Sequence, residues 1–170
     1  MDNYNKYQDR DYVNLVSDIL YHNKFEQIRN ITHHGLNRYD HCVRVSYYSY
    51  KITKALRLDY KKVARAGLLH DFFLEDNDHV GTKNRLKNWI NHPKKAVENS
   101  KNYFDISDIE EDIISSHMFP VALRVPRYLE SWFVVLIDDI VSICEAVNLR
   151  SKQISYSLNF LFVILLNYLR

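Results

Sequence analysis

The chain has little of what most folds use to turn. Only 3 Gly and 3 Pro occur in 170 residues, which speaks against an architecture of many short strands joined by tight turns. Cysteine is scarce as well. Cys42 and Cys144 are the 2 present, and they lie too far apart to form a metal-binding pair. Both fall in predicted helices and read as reduced, partly buried thiols of a cytoplasmic protein. Charge of one sign is also missing. A net charge of +2 gives no general attraction to a nucleic-acid polymer, so the expected partner is a small molecule. The first residues, Met1 to Lys6, are polar and lack the apolar core of a signal peptide. A run without charge extends from Ile154 to Leu169, but a membrane span needs about 20 apolar residues. Apolar all round, it reads as a helix buried in the core or in a homodimer interface.

What is present is helical periodicity throughout. With no repeat and no linker, residues 1–170 read as one all-α domain, a compact bundle of about seven helices. A first helix is expected from Asp11 to Asn30, with Val13, Val16 and Leu20 on one face. The polar stretch Thr32 to Arg38 breaks it. A second helix covers Asp40 to Leu56, with Val45, Tyr48 and Ile52 recurring at helical spacing. Asp59 caps a third, which ends near Phe73. After a loop containing Glu75 and Gly81, a helix runs from Thr82 to Asn91, and Pro93 opens the next. Ser107-Asp108-Ile109-Glu110 fits a capping box for a helix reaching Met118. Pro120 and Pro126 punctuate a connection to a long helix, Arg127 to Asn148. A last helix spans Ser151 to Leu169.

Histidine is the unusual count, at 8. His41, His70, Asp71, His92, His117 and Asp138 follow one another at gaps of 29, 1, 21, 25 and 21 residues, so successive helices or their ends supply them. The helix-borne members share faces with apolar residues: His41 with Val45, Tyr48 and Ile52; His70 with Val63, Ala66 and Gly67; His117 with Ile109 and Ile113; Asp138 with Val134, Val135 and Val141. Inward ionisable groups cost free energy unless they are paired or bound to metal. Imidazole and carboxylate donors suit first-row metals, and the lack of thiolate argues against a structural zinc site. Periodicity alone leaves two readings open, a metal site and a set of hydrogen-bonded core residues. Asp138 and Asp139 point about 100° apart on a helix; Asp138 shares the apolar face, which makes Asp139 its more exposed neighbour.

The order His, His-Asp, Asp resembles the HD-domain phosphohydrolase superfamily. The matching segments are Asp40-His41-Cys42-Val43-Arg44-Val45, Gly67-Leu68-Leu69-His70-Asp71 and Leu136-Ile137-Asp138-Asp139-Ile140. The resemblance covers about Asp40 to Ala146 and implies an all-α fold with metal held between helices. His92-Pro93 and Ser116-His117 are similar to the extra histidines of the dinuclear branch, which includes bacterial dinucleoside-tetraphosphate hydrolases and cyclic-dinucleotide phosphodiesterases. By that resemblance His41, His70 and Asp138 hold one metal, His92 and His117 the second, and Asp71 bridges them. The implied cofactors are two divalent ions, Fe or Mn foremost, with Zn, Co, Ni or Mg as other choices. The implied reaction is hydrolysis of a phosphate mono- or diester, nucleotide-derived, by water activated between the metals, so no side-chain nucleophile is required.

Phosphate also needs donors. The free N–H groups of a helix starting at Pro93 would form an anion site beside His92, with Lys94 and Lys95 following. Arg38, Arg44 and Arg124 are further candidates, and Arg38 and Lys94 are preferred because they flank ligands. His34 is the candidate proton donor to the leaving group. The chain departs from two branches of the superfamily. Leu74 stands where some single-metal nucleotidases carry glutamate, and Glu75-Asp76 lies further from the doublet than the Glu-Asp of the guanosine-tetraphosphate hydrolases. Glu75 therefore keeps only a supporting role behind the ligands. Two rival functions use the same pocket: a mixed-valent di-iron oxygenase with the same ligand types, and a nucleotide-binding regulator without catalysis.

Overall fold

The computed structural model describes residues 9–33, 36–74 and 82–150. His34, Glu75 and the expected helix from Ser151 to Leu169 lie outside the described residues. Among the described residues seven α-helices carry the fold: α1 (Arg10–Leu20), α2 (Asn23–Glu26), α3 (Arg38–Ala55), α4 (Tyr60–Leu69), α5 (Thr82–Tyr103), α6 (Asp108–Ser116) and α7 (Leu129–Arg150). Thr32–His33 (β1) and Leu36–Asn37 (β2) form a two-residue antiparallel ladder ahead of α3. The fold is all-α, as the sequence predicts.

Local chemistry explains where the helices start. Asp9, Asn37 and Asp59 accept from the backbone N–H groups of Tyr12, Asp40 and Lys62, at 3.2, 2.7 and 3.3 Å. Each satisfies a donor that a helix start leaves without an internal partner, worth about 1 kcal/mol. The capping box at Ser107 and Glu110 is formed.

Three expectations need correction. The first helix does not continue to Asn30: α1 closes at Leu20, and the chain re-enters α2 and a 3-10 turn over Gln27–Asn30. The His22 ring caps α2 by accepting from Lys24 N at 3.2 Å, which creates a break that periodicity does not reveal. Tyr48 and Ile52 do not share the inward face of His41; both are exposed. Pro93 lies inside α5, so no helix begins there.

The core is rich in buried aromatics, among them Tyr12, Tyr39, Tyr50, Phe25 and Phe72. α3 packs against α4 at the centre, and α7 closes over α3 and α6. The α3–α4 approach depends on Gly67, where a Cβ would sit 2.7 Å from the Ser46 Cα. Ser46 sits at this contact with its hydroxyl donating to Ala64 O at 2.6 Å and accepting from Tyr12 at 2.8 Å. Among the described residues, no helix is long and apolar enough to cross a membrane.

Candidate metal centre

Five elements deliver side chains to one buried place. His41 lies one turn into α3, His70 closes α4 and is followed by Asp71, His92 sits in α5, His117 closes α6, and Asp138 lies midway along α7. His41, His70, Asp71, His92 and His117 are at most 3% exposed, and Asp138 is 9% exposed.

Their donor atoms form two triangles. In the first, His41 Nε2 lies 3.3 Å from His70 Nε2 and 3.0 Å from Asp138 Oδ1, and His70 Nε2 lies 3.7 Å from the same oxygen. In the second, His92 Nε2 lies 2.8 Å from His117 Nε2 and 3.0 Å from Asp71 Oδ1, and His117 Nε2 lies 3.5 Å from that oxygen. Asp71 links the two, because its other oxygen, Oδ2, is 3.9 Å from His70 Nε2. The His70 and His117 rings meet at 4.9 Å.

The ring orientations are fixed from behind. His70 Nδ1 donates to Gly67 O and His117 Nδ1 to Ile114 O, each at 2.8 Å. These carbonyls belong to the last turns of α4 and α6, which have no partner further along the helix. His41 Nδ1 donates to Glu145 Oε2 at 2.9 Å, and Arg44 holds the other Glu145 oxygen at 2.5 Å. With Nδ1 carrying the proton, a neutral ring presents a bare lone pair at Nε2. Lone pairs aimed at one another repel unless a cation lies among them.

That requirement tests whether metal fits. Ligand atoms at about 2.1 Å from one ion stand roughly 3.0 Å apart at right angles and roughly 3.4 Å apart in a tetrahedron. Both triangles match this spacing, so His41, His70 and Asp138 form one group able to hold an ion, and Asp71, His92 and His117 form another. Asp71 Oδ1 is buried and accepts no hydrogen bond of acceptable geometry, as expected of an oxygen reserved for a metal.

Without metal, protons stabilise the cluster. Burial works to lower the His41 pKa, but hydrogen bonds to Asp138 and Glu145 outweigh it and raise it to about 10. Burial carries His70 down to about 4 against the pull of Asp138 and Asp71. Burial opposes ionisation of Asp138, yet His70 and His41 bring it to about 2. Asp71 is held well below the usual carboxylate range, with burial overcome first by His92 and His70. Both carboxylates are thus ready to bind a cation, and metal must displace the His41 proton.

The HD domain profile matches residues 38–150, which spans every one of these donors. The chain belongs to the HD domain family. No curated protein and no solved structure matches it. HD domains are mostly metal-dependent hydrolases, and the two His/Asp groups fit that chemistry.

The other sequence candidates of this HD domain are dispersed. Arg38 is buried with its guanidinium 3.6 Å over the Phe73 ring, and it donates to Phe73 O at 2.6 Å. Phe73 in turn stacks on His92 at 5.2 Å, so Arg38 braces the exit from the His-Asp doublet. Arg44 is engaged by Glu145. Arg124 is exposed on the connection before α7. Lys94 follows His92 by two residues, about 200° round the helix; its side chain is exposed and lies 4.0 Å from Glu98. The anion site expected at Pro93 is not formed, because α5 passes through it. Cys144 is exposed rather than partly buried, and Cys42 is buried. Asp138 faces the cluster while Asp139 is exposed. Sequence reasoning missed Glu145 and Phe73. Glu145 stands seven residues after Asp138, two turns along the same face, and that spacing was the available signal.

Proposed function

We propose that this HD-domain protein is a metal-dependent phosphohydrolase acting on a nucleotide-derived phosphate mono- or diester. The observation that carries the reading is the pair of donor triangles joined by one buried carboxylate, Asp71. In this reading His41, His70 and Asp138 hold one divalent ion, His92 and His117 the other, and Asp71 is shared. When bound, such ions neutralise phosphate charge and bring the pKa of a coordinated water to about 7.

The chain's own residues prepare the centre. Glu145 and the carbonyls of Gly67 and Ile114 fix the ring tautomers and aim each Nε2 inward. Phe73 and Arg38 hold the His92 ring by stacking. Cys42 is no competing nucleophile: burial, reinforced by Asp71, pushes its thiol pKa up, which keeps it protonated. Arg124 is the proposed phosphate contact, and His34 is the proposed proton donor to the leaving group.

The test is a panel of generic phosphate esters, nucleoside monophosphates, cyclic dinucleotides and dinucleoside polyphosphates, each with Mn and with Fe. A hydrolysis product, read as free phosphate for monoesters and as the shorter nucleotide for diesters and dinucleoside polyphosphates, supports the reading if Asp71→Ala abolishes it. No product with any metal, together with oxygen uptake by the iron form, would replace it with the oxygenase.

A further inference from the structure

α7 carries apolar residues on two opposite sides. The side packed on α3, α4 and α6 holds Val134, Asp138, Val141 and Glu145, all buried. On the other side Leu129, Trp132, Leu136, Ile140 and Ile143 are between 43% and 63% exposed. At about 100° per residue these five fall within an arc of roughly 80°. No charged residue shares that arc, and Asp139 borders it. Half-exposed residues of this size offer on the order of 100 Å² each, so the stripe presents about 500 Å² of apolar surface. A contiguous patch of several hundred Å² marks an interaction surface.

We infer that this face is a two-fold interface between two copies of the chain, with the α7 helices antiparallel. Two properties of the stripe single out a second copy. The first is its symmetry. The steps from Leu129 to Ile143 are three, four, four and three residues, the same read from either end about Leu136. A copy turned about a two-fold axis at Leu136 brings its Ile143 to Leu129, its Ile140 to Trp132 and its Leu136 to Leu136. Each apolar group of the stripe then meets another, at the spacing by which helices interlock. A partner of unrelated sequence gives no reason for that symmetry. The second property is area. Two stripes bring together about 1,000 Å², the size at which a specific interface begins. Val121, Leu123 and Val125, exposed on the connection before α7, lie beyond Leu129 and extend the apolar surface. The pairing buries no charge from either stripe, so no ionisable group is left without water. The inference stands apart from the phosphohydrolase reading, since Asp138 and Glu145 occupy the opposite side of the helix.

Sedimentation of the full chain over a roughly hundredfold range of concentration reads the mass. The expected result is two chains at the upper end, falling towards one on dilution. Leu136→Lys sets two ammonium groups against each other at the axis and weakens pairing about a hundredfold or more, while helical content and metal content stay unchanged. The geometry has its own readout. In a Cys144→Ser background, where the remaining Cys42 is buried, Leu136→Cys couples to its own copy under mild oxidation. Asn102→Cys, exposed on α5, does not. A dimer that Leu136→Lys leaves intact, or in which Leu136→Cys fails to couple, places the contact elsewhere and overturns the inference. A mass of one chain at every concentration overturns it as well. Slow maleimide labelling of Leu136→Cys in that single chain then assigns the face to another part of the same chain. Fast labelling that phospholipid vesicles suppress assigns it to a lipid surface.

Discussion

Replacing Glu145 by alanine separates the support of a ligand from the ligand itself. The Glu145 carboxylate accepts from His41 Nδ1 at 2.9 Å and from Arg44 at 2.5 Å, and its removal leaves His41 free to rotate or to place its proton on Nε2. Arg44 keeps access to water, its side chain being 27% exposed, so the main effect falls on His41. Loss of such a supporting partner costs 10- to 100-fold in metal affinity, or about 1.4–2.7 kcal/mol. The asymmetry is informative. His41 belongs to the triangle with His70 and Asp138, while the triangle of Asp71, His92 and His117 has no link to Glu145. A titration with Co(II), read by its visible absorption, therefore shows one site weakened 10- to 100-fold and the other nearly unchanged. Glu145→Gln keeps an acceptor and loses less than tenfold. Two unchanged sites in Glu145→Ala, or two weakened equally, would refute the orienting role.

Other outcomes follow from the packing and the charges. Gly67→Ala forces α3 and α4 apart at Ser46, where the new Cβ would lie 2.7 Å from a backbone atom, and a thermal melt reads a loss of about 1–3 kcal/mol; an unchanged melt contradicts the close approach. Asp112 is fully buried and accepts from Arg127 N, Arg127 Nε and the Ser131 hydroxyl at 2.8–2.9 Å, so Asp112→Ala costs about 2–4 kcal/mol in urea unfolding. Burial opposes the Asp112 charge, but the bonds from Arg127 and Ser131 lower its pKa, so its contribution is present above the ordinary carboxylate value and lost as pH falls through the folded one. From His41 and His70, the metal-free protein is expected to be most stable near pH 6.5. His41, raised to about 10, loses its contribution as pH rises above about 6.5. His70, lowered to about 4, binds fewer protons folded than unfolded below about pH 6.5, so stability also falls as pH drops from there. Each acts with a slope of at most about 1.4 kcal/mol per pH unit. Melts of chelator-treated protein that rise steadily from pH 6.5 to 9 would refute the His41 part.

Much of this was legible before any coordinates. The His-Asp doublet could be read because both residues follow a helix whose apolar period points inward. Asp138 could be separated from Asp139 because the period distinguishes two faces about 100° apart. The capping boxes and caps at Asp59 and Ser107 could be read because they are local. What escaped depends on contacts distant in sequence or on competition between local rules. Glu145 meets His41 across 104 residues, and a glutamate on a helix gives no sign of its partner. Pro93 carried a start signal, but eleven residues of helix, from Thr82 to His92, precede it and the chain continues through the break in hydrogen bonding. Tyr48 and Ile52 fit the period of His41, yet α3 turns Val45, Ser49, Tyr50 and Thr53 inward there and leaves both of them exposed. Arg38 and Lys94 flank ligands in sequence, whereas burial against Phe73 and the turn of α5 give each a different setting.

The central claim is a two-metal centre bridged by Asp71, and metal stoichiometry tests it most directly. Protein purified without chelator and loaded with Mn or Fe is predicted to hold two equivalents per chain, and Asp71→Ala is predicted to lose metal from both triangles while remaining helical. At most one equivalent in the wild-type chain, or two equivalents retained in Asp71→Ala, would contradict it.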